Sequence, residues 1–139
     1  ASEDVGNADP NALQDAVAAA QAVERIGMPE ARIILSQAAL YVATAPKSNA
    51  CYMAIDKALD VVKNSKTAPV PVHLQDAHYK GSAKLGHGVG YLYAHDYPNH
   101  YVRQQYLPDA YVNEKFYEPG DMGYERDIKK HLDKIKSEA

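Results

Sequence analysis

Apolar residues recur at three- and four-residue steps through the first half of the chain, and each such stretch carries its own start and stop residues. Leu13, Ala16, Val17, Ala20 and Val23 follow this spacing, with Gln14, Asp15, Gln21, Glu24 and Arg25 on other faces. Asp9-Pro10 supplies an N-cap and a first-turn proline and Gly27 a left-handed stop, which predicts a helix over 10–26. Its many alanines keep it thin, so a neighbour can approach closely. A second helix is expected from Pro29 to about Ala45, where Pro46 forbids continuation. Ile33, Ile34, Leu35, Ala38, Ala39, Leu40, Tyr41, Val42 and Ala43 leave it scarcely any polar face, which predicts central burial. It is too short to span a bilayer. Ser48 can cap a third helix over 49–64, with Cys51, Ile55, Ala58, Leu59 and Val62 opposite Asp56, Lys57, Asp60 and Lys63. The short connections predict three antiparallel helices over 7–64.

From Ser65 the pattern changes. Pro69, Pro71, Pro98, Pro108 and Pro119, with Gly81, Gly86, Gly88, Gly90, Gly120 and Gly123, interrupt any long period. Short helices at 72–76 and 77–85 are expected, with Tyr91-Leu92-Tyr93 extended and ordered loops elsewhere in 65–123. A charged terminal helix follows over 124–137, with Ile128, Leu132 and Ile135 as a narrow docking stripe. The fold class so predicted is all-α.

Composition sharpens this picture at one point. Of the 11 tyrosines, nine fall between Tyr79 and Tyr124, in a chain with one Phe and no Trp. Rings with a hydroxyl that finds a backbone partner can pack a loop-rich segment onto helices, so 65–123 is expected to be an ordered wrap. With 46% hydrophobic and 24% charged residues among 139, disorder and fibrous repeats do not fit. A net charge of -3 argues against phosphate-backbone binding by overall charge. Cys51 stands alone and cannot form an internal disulfide, no run of about 18 apolar residues occurs, and no signal pattern opens the chain. A cytoplasmic location is the expectation.

Chemistry by motif is thin. Gly81-Ser82-Ala83-Lys84-Leu85-Gly86 has the glycine spacing of a phosphate loop, but His87 and Gly88 stand where that loop needs Lys and Ser or Thr. Gly88-Val89-Gly90 lacks the third glycine of a dinucleotide fingerprint, since Tyr93 occupies that position. No pair among His73, His78, His87, His95, His100 and His131 has the i, i+4 spacing of a zinc-protease helix. No glycine-flanked serine elbow occurs, and Cys51 lies on an apolar stripe. Catalytic, cofactor and metal residues are therefore not assigned. Lys80, Lys84, Arg103 and Lys115 among Tyr79, Tyr91, Tyr93, Tyr97, Tyr101 and Tyr106 could stack bases and track a single strand. A solvated rim around packed tyrosines, or a protein interface, accounts for the same residues. Tyr41 and Tyr52 are candidate anchors of an interface on the helices, because large aromatics supply contact area cheaply.

Several separated blocks carry a family resemblance: 1–10 (ASEDVGNADP), Ala45-Pro46-Lys47-Ser48-Asn49, His78-Tyr79-Lys80-Gly81, Leu85-Gly86-His87-Gly88 and Gln104-Gln105-Tyr106-Leu107-Pro108. Together and in this order they resemble the C-terminal region of the RarA/MgsA family of AAA+ replication-associated recombination ATPases, whose eukaryotic relative is the Werner helicase-interacting protein. Ala94, Tyr101 and Gly120 depart from the family pattern, where Pro, Trp, and Ser or Thr are expected. The resemblance implies a helical domain like the clamp-loader collar, a non-catalytic module that assembles homotetramers. It further implies that residues 1–6 end a lid subdomain and that ATP and Mg are held by an N-terminal AAA+ module outside this chain. Implied partners are a second copy, DNA and replication proteins such as single-stranded DNA-binding protein, with no membrane; the whole protein would be nucleoid-associated. The alternative function is a single-stranded DNA or replication-protein binding module of the same ATPase.

Overall fold

Asp9 Oδ1 accepts the Asn11 N–H at 3.1 Å, and the first helix, α1 (Asn11–Ile26), starts there. It stops at Gly27, whose φ of 73° is costly for a residue with a Cβ. The computed structural model describes residues 1–66, 68–76, 78 and 82–138. α2 (Ala31–Thr44) begins two residues after Pro29, and Ala45 turns extended, as the residue before a proline must. Lys47 Nζ donates to the carbonyls of Val42, Ala43 and Ala45, placing a cation at the α2 C-terminus. α3 (Ala50–Asn64) is capped by Ser48, whose hydroxyl accepts the Ala50 N–H at 3.2 Å. α4 (Glu125–Ser137) closes the chain, with Ile128, Leu132 and Ile135 half-buried at i, i+4 and i+7. The fold is all-α: four α-helices and six single 3-10 turns, with no strand among the described residues.

Two compact units divide the chain. The first comprises Ala1–Asp60 and Phe116–His131, the second Val61–Lys115 and the chain from Leu132 onward. In the first, Tyr41 Oη donates to Asp9 Oδ2 at 2.7 Å, so the end of α2 lies beside the start of α1 and the two run antiparallel. Val5, Ala12 and Ala45 form the core, with Tyr41 and Val42 packed against it. Residues 1–6 thus contribute a core side chain through Val5. Cys51 packs close to Gly6, where a Cβ would lie 3.4 Å from its Sγ.

The structure differs from four expectations. α1 and α2 are the one pair of α-helices that pack along each other among the described residues, so α3 does not complete a three-helix bundle. α2 is not centrally buried: Ile33, Leu35 and Leu40 are 63%, 51% and 62% exposed, and Ala31 is its one buried residue. Most of the core is alanine, and alanines bury too little surface to enclose a helix on every side. In the second unit Tyr111 Oη donates to the Lys66 carbonyl at 2.7 Å as a wrap requires, yet Tyr91, Tyr93, Tyr97 and Tyr106 are left exposed. The expected helices at 72–76 and 77–85 shrink to 3-10 turns at Val72–Leu74 and Ser82–Leu85; residues 77 and 79–81 lie outside the described set.

Candidate functional site

The helices of the first unit present more apolar side chain than their core encloses. Ile33 and Leu40, at the i−4 and i+3 positions of Gln37, share its face and form an exposed row along α2. On α3, Met53, Ile55 and Leu59 are exposed as well. Of the fully buried side chains the largest are Glu125 and Val5. Monomeric proteins rarely leave such apolar rows uncovered, and they mark interaction surfaces when they do.

Tyr41 and Tyr52 take different places. Tyr41 is half-buried against the core, and its phenol is held above its ordinary value of 10.0 chiefly by the hydrogen bond to Asp9. Its role inside the chain is a strut between α2 and the start of α1. Tyr52 stands exposed on α3, with its phenol raised by a hydrogen bond to Asp56.

A buried carboxylate that the sequence reading missed ties the distant parts of this unit together. Glu125, the first residue of α4, is fully buried and accepts from Ser48 Oγ at 2.6 Å, Tyr117 Oη at 3.0 Å and the Gly120 N–H at 2.8 Å. Three donors and a helix N-terminus together satisfy a negative charge that water cannot reach. Burial chiefly raises the Tyr117 phenol above 10.0, and Glu125 adds to it. A Cβ on Gly120 would sit 3.0 Å from this carboxylate. Alongside, Tyr124 N–H donates to Ala8 O at 2.8 Å, and Gly123 fits because it lacks a Cβ, which would lie 2.1 Å from that oxygen. The only sequence signal was a Glu at a helix start, which normally reads as an exposed dipole partner.

The described candidate nucleic-acid contacts all belong to the second unit. Lys84 is exposed on the turn Ser82–Leu85, Arg103 is exposed in the segment after His100, and Lys115 is exposed before Phe116; Lys80 lies outside the described residues. In the same unit Tyr93 and His95 have ring centroids 5.0 Å apart, and His95 and His100 4.9 Å apart. Asn99 and His100 both adopt positive φ, 56° and 51°, which folds His100 back to His95. His73 Nε2 donates to the Gln105 carbonyl at 2.7 Å, and His78 bonds Asp76 at 2.9 Å. Among the described residues no three His, Cys, Asp or Glu side chains converge as metal ligands. No helix among them is long and apolar enough to cross a membrane.

Residues 1–136 match the family described as MgsA AAA+ ATPase C terminal. The chain is 50% identical over 137 residues to an uncharacterised AAA domain-containing protein of Mycobacterium tuberculosis, covering 99% of this chain and 30% of that protein. It is 46% identical over 134 residues to replication-associated recombination protein A of Bacillus subtilis, covering 96% of this chain and 32% of that protein. The ATPase WRNIP1 of Dictyostelium discoideum is 42% identical over 119 residues, covering 85% of this chain and 14% of that protein. The chain therefore spans about a third or less of the relatives it matches. On the matched family and on these identities along nearly its whole length, the chain belongs to the C-terminal domain family of the MgsA AAA+ ATPases.

Proposed function

We propose that this domain holds subunits of a AAA+ replication and recombination ATPase together, as a homotetramer, in the manner of a clamp-loader collar. The supporting observation is the exposed apolar row of α2 and α3, which a core built mostly of alanine cannot cover. Burial of such surface is worth about 25 cal/mol per Å², so covering it between copies drives association without any catalytic group in this domain. ATP and Mg belong, in this reading, to an N-terminal AAA+ module outside the chain, and the whole protein acts on DNA at stalled forks in the cytoplasm or nucleoid. Sedimentation velocity on the chain at tens of micromolar tests it: a higher-mass species supports the reading, and a strict monomer overturns it.

A second reading is favoured by the exposed rings of Tyr91, Tyr93, His95, Tyr97, His100 and Tyr106 with Arg103 and Lys84 in the same unit. Bases stack on such rings, and cations track the backbone. This segment would then contact single-stranded DNA or a replication protein such as single-stranded DNA-binding protein. Titration of labelled oligonucleotide at two salt concentrations tests it, since binding must weaken steeply with salt. Absence of binding at low salt removes the DNA arm.

A further inference from the structure

Between α1 and α2 runs a trench of about 230 Å³, walled by Ala18, Ala22, Ile34 and Ala38 and offering Asp15 and Gln37 as its polar groups. Asp15 Oδ2 is buried and has no hydrogen-bond donor among the described residues. An acceptor of this kind is costly when nothing faces it, and more so when charged. The trench is several times the roughly 30 Å³ share of one water, so it is not a single-water hole. Its apolar walls suit an alkyl stem and its carboxylate and amide oxygen suit a cationic head, which together describe an arginine side chain.

The same helix supplies the complement. Arg25 is exposed in the last turn of α1, with no ion pair among the described residues. Asp15, Ala18, Ala22 and Arg25 are spaced i, i+3, i+7 and i+10, so they form one stripe about 15 Å long. That stripe is symmetric about its middle: Ala18 and Ala22 are equidistant from the centre, and so are Asp15 and Arg25. Two α1 helices laid antiparallel across Ala18 and Ala22 bring each Asp15 against the other copy's Arg25, which is the reciprocal pairing a two-fold interface demands. The small alanines permit the close approach. We infer that α1 docks antiparallel on α1 of a second copy, with Arg25 of each copy entering the α1/α2 trench of the other and pairing with Asp15. This rests on the association reading above and names one of its contacts; Ile33 and Leu40 flank Gln37 on the same hairpin and would be covered with it.

Charge exchange tests the pairing. Sedimentation equilibrium is run on the chain as it stands, on Asp15→Arg, on Arg25→Asp and on the double variant, with circular dichroism confirming helix content for each. Each single reversal is expected to weaken association at least tenfold, and the double to restore it to within about threefold. Association of the unaltered chain with no loss in either single variant overturns this pairing and leaves the association reading intact. Loss in both without recovery in the double also overturns it. A monomeric unaltered chain overturns the association reading itself. Should a reversal fail to fold, Ala18→Cys with Ala22→Cys in a Cys51→Ser background serves instead: oxidation must give a covalent dimer, and persistence of free thiol monomers defeats the register.

Discussion

Ser48 and Glu125 are joined by a 2.6 Å hydrogen bond across 77 residues of sequence, and through it the cap of α3 and the first residue of α4 become one structure. The Ser48 hydroxyl does two jobs, donating to the buried carboxylate and accepting the Ala50 N–H. Ser48→Ala loses both. The expected cost is about 2–4 kcal/mol, combining a lost cap with a charged group left short of a donor. Urea unfolding of the variant measures it, and a change below about 0.5 kcal/mol would show that Glu125 is satisfied without Ser48.

Glycines at two positions should behave differently under the same substitution. Gly123→Ala puts a Cβ 2.1 Å from Ala8 O and 2.7 Å from Pro46 Cγ at a φ of 54°, where backbone would have to move. Gly27→Ala meets nothing within 4 Å among the described residues and bears the cost of its positive φ. That cost is about 1–3 kcal/mol for Gly27, whose ψ of 176° lies in a region nearly reserved for glycine. Gly123→Ala is expected to exceed it clearly in thermal melts; equal effects would mean the Ala8 seam yields.

Asp9→Ala should cost more than Tyr41→Phe. The carboxylate serves both the Asn11 N–H and the Tyr41 hydroxyl, whereas the phenylalanine change removes the second contact alone. About 1–2 kcal/mol is expected for Asp9→Ala and about half that for Tyr41→Phe, by chemical denaturation. Reversal of that order would show that the tyrosine ring, not the cap, depends on the hydrogen bond.

At alkaline pH the fold should weaken through its tyrosines. Tyr41 and Tyr117 have folded-state values raised above 10.0, by the Asp9 hydrogen bond and by burial respectively. A raised value favours the neutral phenol in the folded state, so this stabilisation is fully present below pH 10 and is lost as pH rises through the folded values. Ultraviolet titration should show a late-ionising fraction that shrinks in Tyr117→Phe. Uniform titration of all tyrosines near their ordinary value would refute the buried contact with Glu125.

Leu40→Glu should lower solution mass without lowering helix content, because the side chain is 62% exposed within the chain. Light scattering against concentration reads the first and circular dichroism the second. A folded variant with unchanged mass would remove the α2 row from the association surface.

Local features of this protein were legible along the chain. Pro46 and Gly27 end their helices, Ser48 caps α3, and Ile128, Leu132 and Ile135 form a half-buried stripe, because caps and periodicity act within a turn or two of the backbone. The blocks of sequence that point to the family were readable for the same reason: they are linear. What only the tertiary structure decided was which faces are covered. The apolar row of α2 implied burial but not by whom, and among the described residues α1 is the one α-helix that packs along it. Glu125 and Asp15 read as ordinary surface acids until the fold placed them, Glu125 fully buried with three donors and Asp15 half-buried, its Oδ2 facing no donor among the described residues. Burial and its satisfaction depend on residues tens of positions away, and a helical repeat carries no record of them.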